Sequence, residues 1–278
     1  MDAPDDANDL RGFHFRELLR KPATWIATGV AVIAAGVAAA VFLGAAIGGA
    51  AAVGTFLLAI LVVFAIADSR AEEAFFDTYS RQRGLTLAGR GPLPAATPLL
   101  RKGDDRYAER TLAGPLADGV DGVLALYTYE DETTDSEGNR QTNYYRYTLG
   151  LIEVPECAAH VPELYCQRKF GLRALEKLED AFRGSKQRVE LESAAVDERY
   201  EIFAGEGQDQ VWLRRLFSPT FIVWLGEQAP EKFAFELVGG TLCCYVSGHK
   251  ESAAELDTVG AASAAVARRL REEAPETA

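Results

Sequence analysis

Apolar and polar positions fall into two regimes along this chain. Between Lys21 and Asp68 no charged residue occurs, and the stretch PATWIATGVAVIAAGVAAAVFLGAAIGGAAAVGTFLLAILVVFAIA is apolar or small almost throughout. As one helix, these 46 residues would extend roughly 69 Å, over twice the ~30 Å hydrocarbon core of a bilayer. The pattern therefore predicts two spans, at about 23–43 and 51–67, joined by a turn at 44–50 in which Gly48-Gly49 supplies a permissive backbone. Small residues recur at Gly36, Ala40 and Gly44, an i, i+4 stripe that admits a neighbouring helix closely. The stripe reads either as the seat of the second span or as a self-association face.

Beyond the run the periodicity changes. Residues 68–83 (DSRAEEAFFDTYSRQR) place Ala71, Phe75, Phe76 and Tyr79 on one helical face, with Gly84 as a stop. Residues 85–103 are a Pro/Gly-rich connector without an apolar period. Aromatic and β-branched residues then mark strands at 122–130 and 143–154, separated by the polar, acidic loop 131–139, with an earlier strand at 106–116. Residues 172–184 are helical in pattern, with Leu175, Leu178 and Phe182 inward and Gly184 at the C′ position. Strands are expected at 188–192 and 199–205, and short helices at 209–217 and 218–229, where Ser218 and Pro219 match N-cap and N1. KFAFELV-GG-TLCCYVSG (232–248) is the clearest hairpin, because Gly239-Gly240 suits a two-residue primed turn. A final helix covers 251–272, with Leu256, Val259, Ala262, Val266 and Leu270 stepping by three and four.

The expected fold class is α+β: an N-terminal transmembrane helical hairpin, then a mainly antiparallel sheet domain with packed helices and a C-terminal helix. The expected divisions are a cytosolic N-terminal segment (1–21), the hairpin (22–67), a juxtamembrane helix and connector (68–103), and a cytosolic domain (104–278). Residues 1–9 are acidic and too polar to pack. Residues 10–21 read either as an interfacial helix or as an extension of the first span.

Charge then fixes orientation. Arg11, Arg16, Arg20 and Lys21 precede the first span, Arg70, Arg81 and Arg83 follow the second, and the turn has no basic residue. Both termini are expected in the cytosol, with the turn outside and the chain in the cell (inner) membrane. Ala38–Ala40 imitates a signal-peptide cleavage site, but the acidic start and the second apolar segment argue against one. The formal net charge of −12 gives no electrostatic reason to bind nucleic acid.

The arrangement of a two-span hairpin, EEAFFDTYSRQRGL, an aromatic hairpin, RYEIFAGEGQDQVWLRRLFSPTFIVWL and FAFELVGGTLCCYV resembles a widespread bacterial family of two-span membrane proteins with a cytosolic domain of unknown function. The resemblance covers about residues 70–247 plus the spans. It implies membrane location and an α+β domain, and it carries no activity and no functional residues.

Candidate chemistry is sparse. Cys157, Cys166, Cys243 and Cys244 are expected to be reduced thiols in the cytosol. Adjacent Cys243 and Cys244 point to opposite strand faces, so whichever faces inward is expected to act as a small buried hydrophobe. Cys157, His160 and Cys166, with distant His249, match no common zinc module, and neither a metal nor a cofactor is expected. Asp131, Glu132, Asp135 and Glu137 form an acidic loop, but Gly138 is misplaced for an EF-hand, leaving a solvated hairpin loop. G-x-S-x-G, H-E-x-x-H and P-loop motifs are absent from the sequence. Tyr127, Tyr129, Tyr144, Tyr145 and Tyr147 crowd one hairpin and read as core packing or as a partner surface. The expected function is a membrane-tethered cytosolic interaction or sensory domain without catalysis. The alternatives are a membrane-associated enzyme using carboxylates or the Cys166 thiol, and a subunit of a membrane complex or transporter.

Overall fold

The computed structural model describes residues 33–34, 45–134, 138–169, 186–191 and 193–274. The first expected span, the N-terminal segment 1–21 and the helix expected at 172–184 lie outside the described residues or almost entirely so. The chain divides into two compact units, Met1–Tyr79 with Glu251–Ala253, and Ser80–Lys250 with Ala254–Ala278.

The first unit contains most of helix α1, Ala45–Arg83, one unbroken helix of 39 residues. One expectation is corrected here: residues 45–50, expected as part of a turn, are helical, and residues 51–83 continue the same helix. The physical reason is local. Alanines surround Gly48-Gly49, alanine has the highest helix propensity, and a turn among apolar residues leaves backbone groups unpaired that a helix satisfies. Val53, Leu57, Leu58, Leu61 and Val62 of α1 are each at least half exposed, while Phe75, Phe76 and Tyr79 are buried. Phe75 meets Phe76 edge-on at 5.0 Å. Among the described residues no helix is long and apolar enough to cross a membrane.

The second unit is built on one nine-stranded sheet in the order β1-β2-β3-β4-β9-β8-β5-β7-β6, with every neighbouring pair antiparallel. The strands are β1 (Thr86–Ala88), β2 (Asp105–Ala117), β3 (Val120–Thr134), β4 (Arg140–Glu153), β5 (Glu163–Arg168), β6 (Lys186–Val189), β7 (Tyr200–Gly205), β8 (Ala234–Val238) and β9 (Thr241–Ser247). Gly239 and Gly240, with φ of 57° and 88°, make the primed turn that the sequence predicts between β8 and β9. Asp118-Gly119, with φ of 49° and 74°, makes a second such turn between β2 and β3. The acidic loop is shorter than expected, because Asp131 pairs with Asn143 and Thr134 with Arg140. The helices are α2 (Ala194–Asp197), α3 (Gln210–Leu216), α4 (Pro219–Val223) and α5 (Ala253–Glu273). Asp209 and Ser218 cap α3 and α4, accepting from the amides of Val211 and Phe221. A π-helical turn, Trp224–Gln228, continues α4.

Both sheet faces are covered. On one face, Leu99 and Leu100 lie in a core with Tyr127, Tyr129, Tyr147, Cys243 and Tyr245. The connector is thus part of the core, not a passive linker: its Thr97, Leu99, Leu100 and Lys102 are all buried. On the other face α5 approaches so closely that a Cβ on Gly150 would lie 2.3 Å from Ser263 Oγ.

Candidate functional site

The chemistry-bearing residues singled out from sequence are mostly interior. All four cysteines are free and buried. Cys243 and Cys244 point to opposite faces, yet both are inside, which corrects the expectation that only one faces inward: alternation predicts one wet face only where that face is bare. Burial pushes all four thiols up, Cys157 to about 11. Cys157 donates to the Leu270 carbonyl at 3.5 Å. Among the described residues no three His, Cys, Asp or Glu side chains gather to hold a metal. Asp135 and Glu137 of the acidic loop lie outside the described residues, and Asp131 and Glu132 belong to β3.

The tyrosines divide between the faces of the β3–β4 hairpin. Tyr127, Tyr129 and Tyr147 are buried, Tyr145 is half-buried and Tyr144 is exposed. Tyr129 stacks on Tyr145 at 4.8 Å and on Tyr147 at 5.9 Å. Tyr147 meets Tyr245 edge-on at 5.8 Å. This aromatic layer is core.

Among the described residues, three polar arrangements stand out. The first centres on Glu236, a fully buried carboxylate in β8. The Leu99 amide donates to Oε2 at 3.0 Å, and the Tyr245 hydroxyl lies 3.4 Å from Oε1. Burial pushes this carboxyl up, while the Leu99 amide, Thr97, Lys102 and Tyr245 oppose that rise. Tyr127 donates to the Leu99 carbonyl at 3.3 Å, so the connector is held through both main-chain polar groups of Leu99. Sequence alternation in FAFELV shows this glutamate but not the connector that buries it. The group has hydrogen-bond partners and no surface exposure, which makes it an anchor for the connector.

The second lies at the β2–β3–β4 side. A register shift between Ala108 and Arg110 bulges Glu109. Thr128 donates to Glu109 Oε1 at 3.1 Å, and His249 Nε2 lies 3.3 Å from the Thr128 hydroxyl and 3.2 Å from the Tyr127 carbonyl. A carbonyl only accepts, so Nε2 carries the proton and faces two acceptors. The imidazole therefore does not act as a base toward Thr128, and the trio braces the strand.

The third is a surface cleft of about 470 Å³. One wall is the outer side of α5, where Ala265, Arg268, Arg269 and Glu272 share a helical face at i, i+3, i+4 and i+7. The opposite wall carries Ser218, Thr220, Phe221 and Trp224. Phe221 and Trp224 stack at 5.4 Å and 10°, and Trp224 meets Phe233 edge-on at 5.9 Å. Arg269 is fixed: it donates to the carbonyls of Leu216 (3.0 Å) and Arg215, and pairs with Glu272 (3.1 Å) and Glu273 (2.8 Å). Arg268 is held by Asp118 at 2.6 Å, with both side chains well exposed. The π-helical turn begins at Trp224, the kind of irregularity that recurs at functional sites. Sequence reading missed this cleft, since its walls lie over forty residues apart and neither carries a motif. No family model, curated protein or solved structure matches this chain.

Proposed function

We propose that this chain is a membrane-tethered cytosolic binding module without catalysis, its ligand site being the cleft between α4 and α5. The observation that carries the tether is α1, whose side chains at Val53, Leu57, Leu58, Leu61 and Val62 stand exposed inside a run with no charged residue from 22 to 67. Contiguous apolar surface of this kind needs cover, and lipid is the solvent that matches it. The likeness to two-span bacterial membrane proteins belongs to the same proposal, as do cytosolic termini and helix contacts through Gly36, Ala40 and Gly44. The binding role is supported by an open cleft with an aromatic wall, while the four thiols and the Glu236 carboxylate are buried away from solvent. Flotation of cell membranes after alkaline carbonate washing tests the tether. The full chain is expected to float with lipid and to be released by detergent alone; release by carbonate would remove the reading.

A further inference from the structure

We propose that the α4–α5 cleft takes a planar aromatic carboxylate, its ring against Trp224 and Phe221 and its carboxylate on Arg268 in place of Asp118. This rests on the reading of the second unit as a binding module and names the class of ligand.

The argument starts from shape. The cleft's 470 Å³ lies in the range of small-molecule sites, ~300–1,000 Å³. Ala265 is the smallest residue on the α5 wall. Phe221 and Trp224, stacked on one another, put aromatic surface on one wall of the cleft, which suits an aromatic partner.

Charge then selects the headgroup. The two guanidiniums of the cleft differ in commitment. Arg269 ties α5 to two main-chain carbonyls and two carboxylates, so it is a brace. Arg268 makes a single surface pair with Asp118, whose side chain is 61% exposed. An exposed pair of this kind contributes little, so another carboxylate can displace it. Arg268 already accommodates a carboxylate at 2.6 Å, and a guanidinium fork favours a bidentate planar anion. Ser218 uses its oxygen as acceptor for the Phe221 amide, which leaves its hydroxyl proton to donate. Asp118 sits at a φ of 49° in the β2–β3 turn, a conformation asparagine also tolerates. The acid that occupies Arg268 can therefore be neutralised without remaking the turn.

The test uses the full chain in lipid nanodiscs, with 4-nitrobenzoate as the probe, binding measured by titration calorimetry, and empty nanodiscs as the blank. Saturable binding at millimolar probe or below is expected. Arg268→Gln should weaken it severalfold, the loss of one exposed ion pair. Asp118→Asn should tighten it severalfold by removing the internal competitor. The neutral 4-nitrobenzyl alcohol and ring-free acetate should each bind much more weakly. Thermal unfolding of each variant confirms that it is folded. The proposal is overturned by absence of saturable heat, by equal binding of the alcohol, or by an Asp118→Asn variant that binds no tighter. Equal binding of the alcohol leaves the cleft a binding site and removes only this ligand class, and flotation of the same preparation reports the tether separately.

Discussion

Gly150 is the point where the sheet and α5 meet most tightly, and replacing it tests whether the packing described here governs stability. In an ordinary strand Gly→Ala gains roughly 0.5–1 kcal/mol, because alanine loses less backbone freedom on folding. Here the added methyl would lie 2.3 Å from Ser263 Oγ and 2.8 Å from Ser263 Cβ. Ser263 cannot simply turn away. It is fully buried, and its hydroxyl donates to the Val259 carbonyl at 2.8 Å. The helix must shift, and overpacking of this type costs about 1–3 kcal/mol. For a unit of this size each kcal/mol moves the unfolding midpoint by about 2–4 °C, so Gly150→Ala is expected to lower it by about 2–12 °C. Adding Ser263→Gly should recover much of that loss, even though glycine in a helix costs about 1 kcal/mol by itself. The assay is urea and thermal unfolding of the single and double variants, read as a double-mutant cycle. A Gly150→Ala variant as stable as the parent, or two changes that add without coupling, would refute the packing. The same helix carries Arg268 and Arg269 on its outer face, so a displaced α5 is also expected to weaken ligand binding in the cleft.

Three further outcomes follow from the interior. Glu236 has a folded pKa above its ordinary 4.5, so its contribution to stability is present below that pH and lost as pH rises through the folded value; Glu236→Gln should flatten that part of the urea-midpoint profile, and a wild-type-minus-variant difference that ignores pH contradicts this. The four thiols are buried and raised, so the native protein should resist alkylation while four groups add in denaturant; rapid native labelling of Cys166 would contradict its interior placement. A chain starting at Ser80 keeps the connector and should unfold cooperatively. One starting at Asp104 loses Leu99, Leu100 and Lys102 and strands the Glu236 carboxylate, at a cost of about 3–5 kcal/mol, and should aggregate; equal behaviour of the two would show that the connector is dispensable.

Much of the second unit could be read from pattern. The Gly239-Gly240 turn, the Ser218-Pro219 cap, the β3–β4 hairpin and the apolar register of α5 each carry a local signal strong enough to survive tertiary context. The misses have physical causes. Strand β5 is six residues whose partners, β7 and β8, come later in the chain, and ELYCQR draws the eye to its cysteine. Between β2 and β3, Asp118-Gly119 is a two-residue hairpin signal lying between Gly114-Pro115 and Gly122, which blur it in the sequence. The connector has no period because Leu99 and Leu100 pack from a short 3₁₀ turn, so its burial shows only once the sheet is formed. A turn at 44–50 follows from the length of a membrane span and from two glycines, while the surrounding alanines favour helix. The cleft depends on two helices meeting, which no single stretch of sequence announces.

The most direct measurement of the central claim is accessibility of single cysteines to a membrane-impermeant thiol reagent in intact cells. One is introduced at Ser252, beside the start of α5, and another at Gly44, in the middle of the charge-free run. The native thiols are buried and silent. The account predicts that Ser252→Cys stays unlabelled until the membrane is opened, while Gly44→Cys labels in intact cells. Labelling of Ser252→Cys from outside, or recovery of both variants in the soluble fraction, would contradict a cytosolic domain held at the membrane.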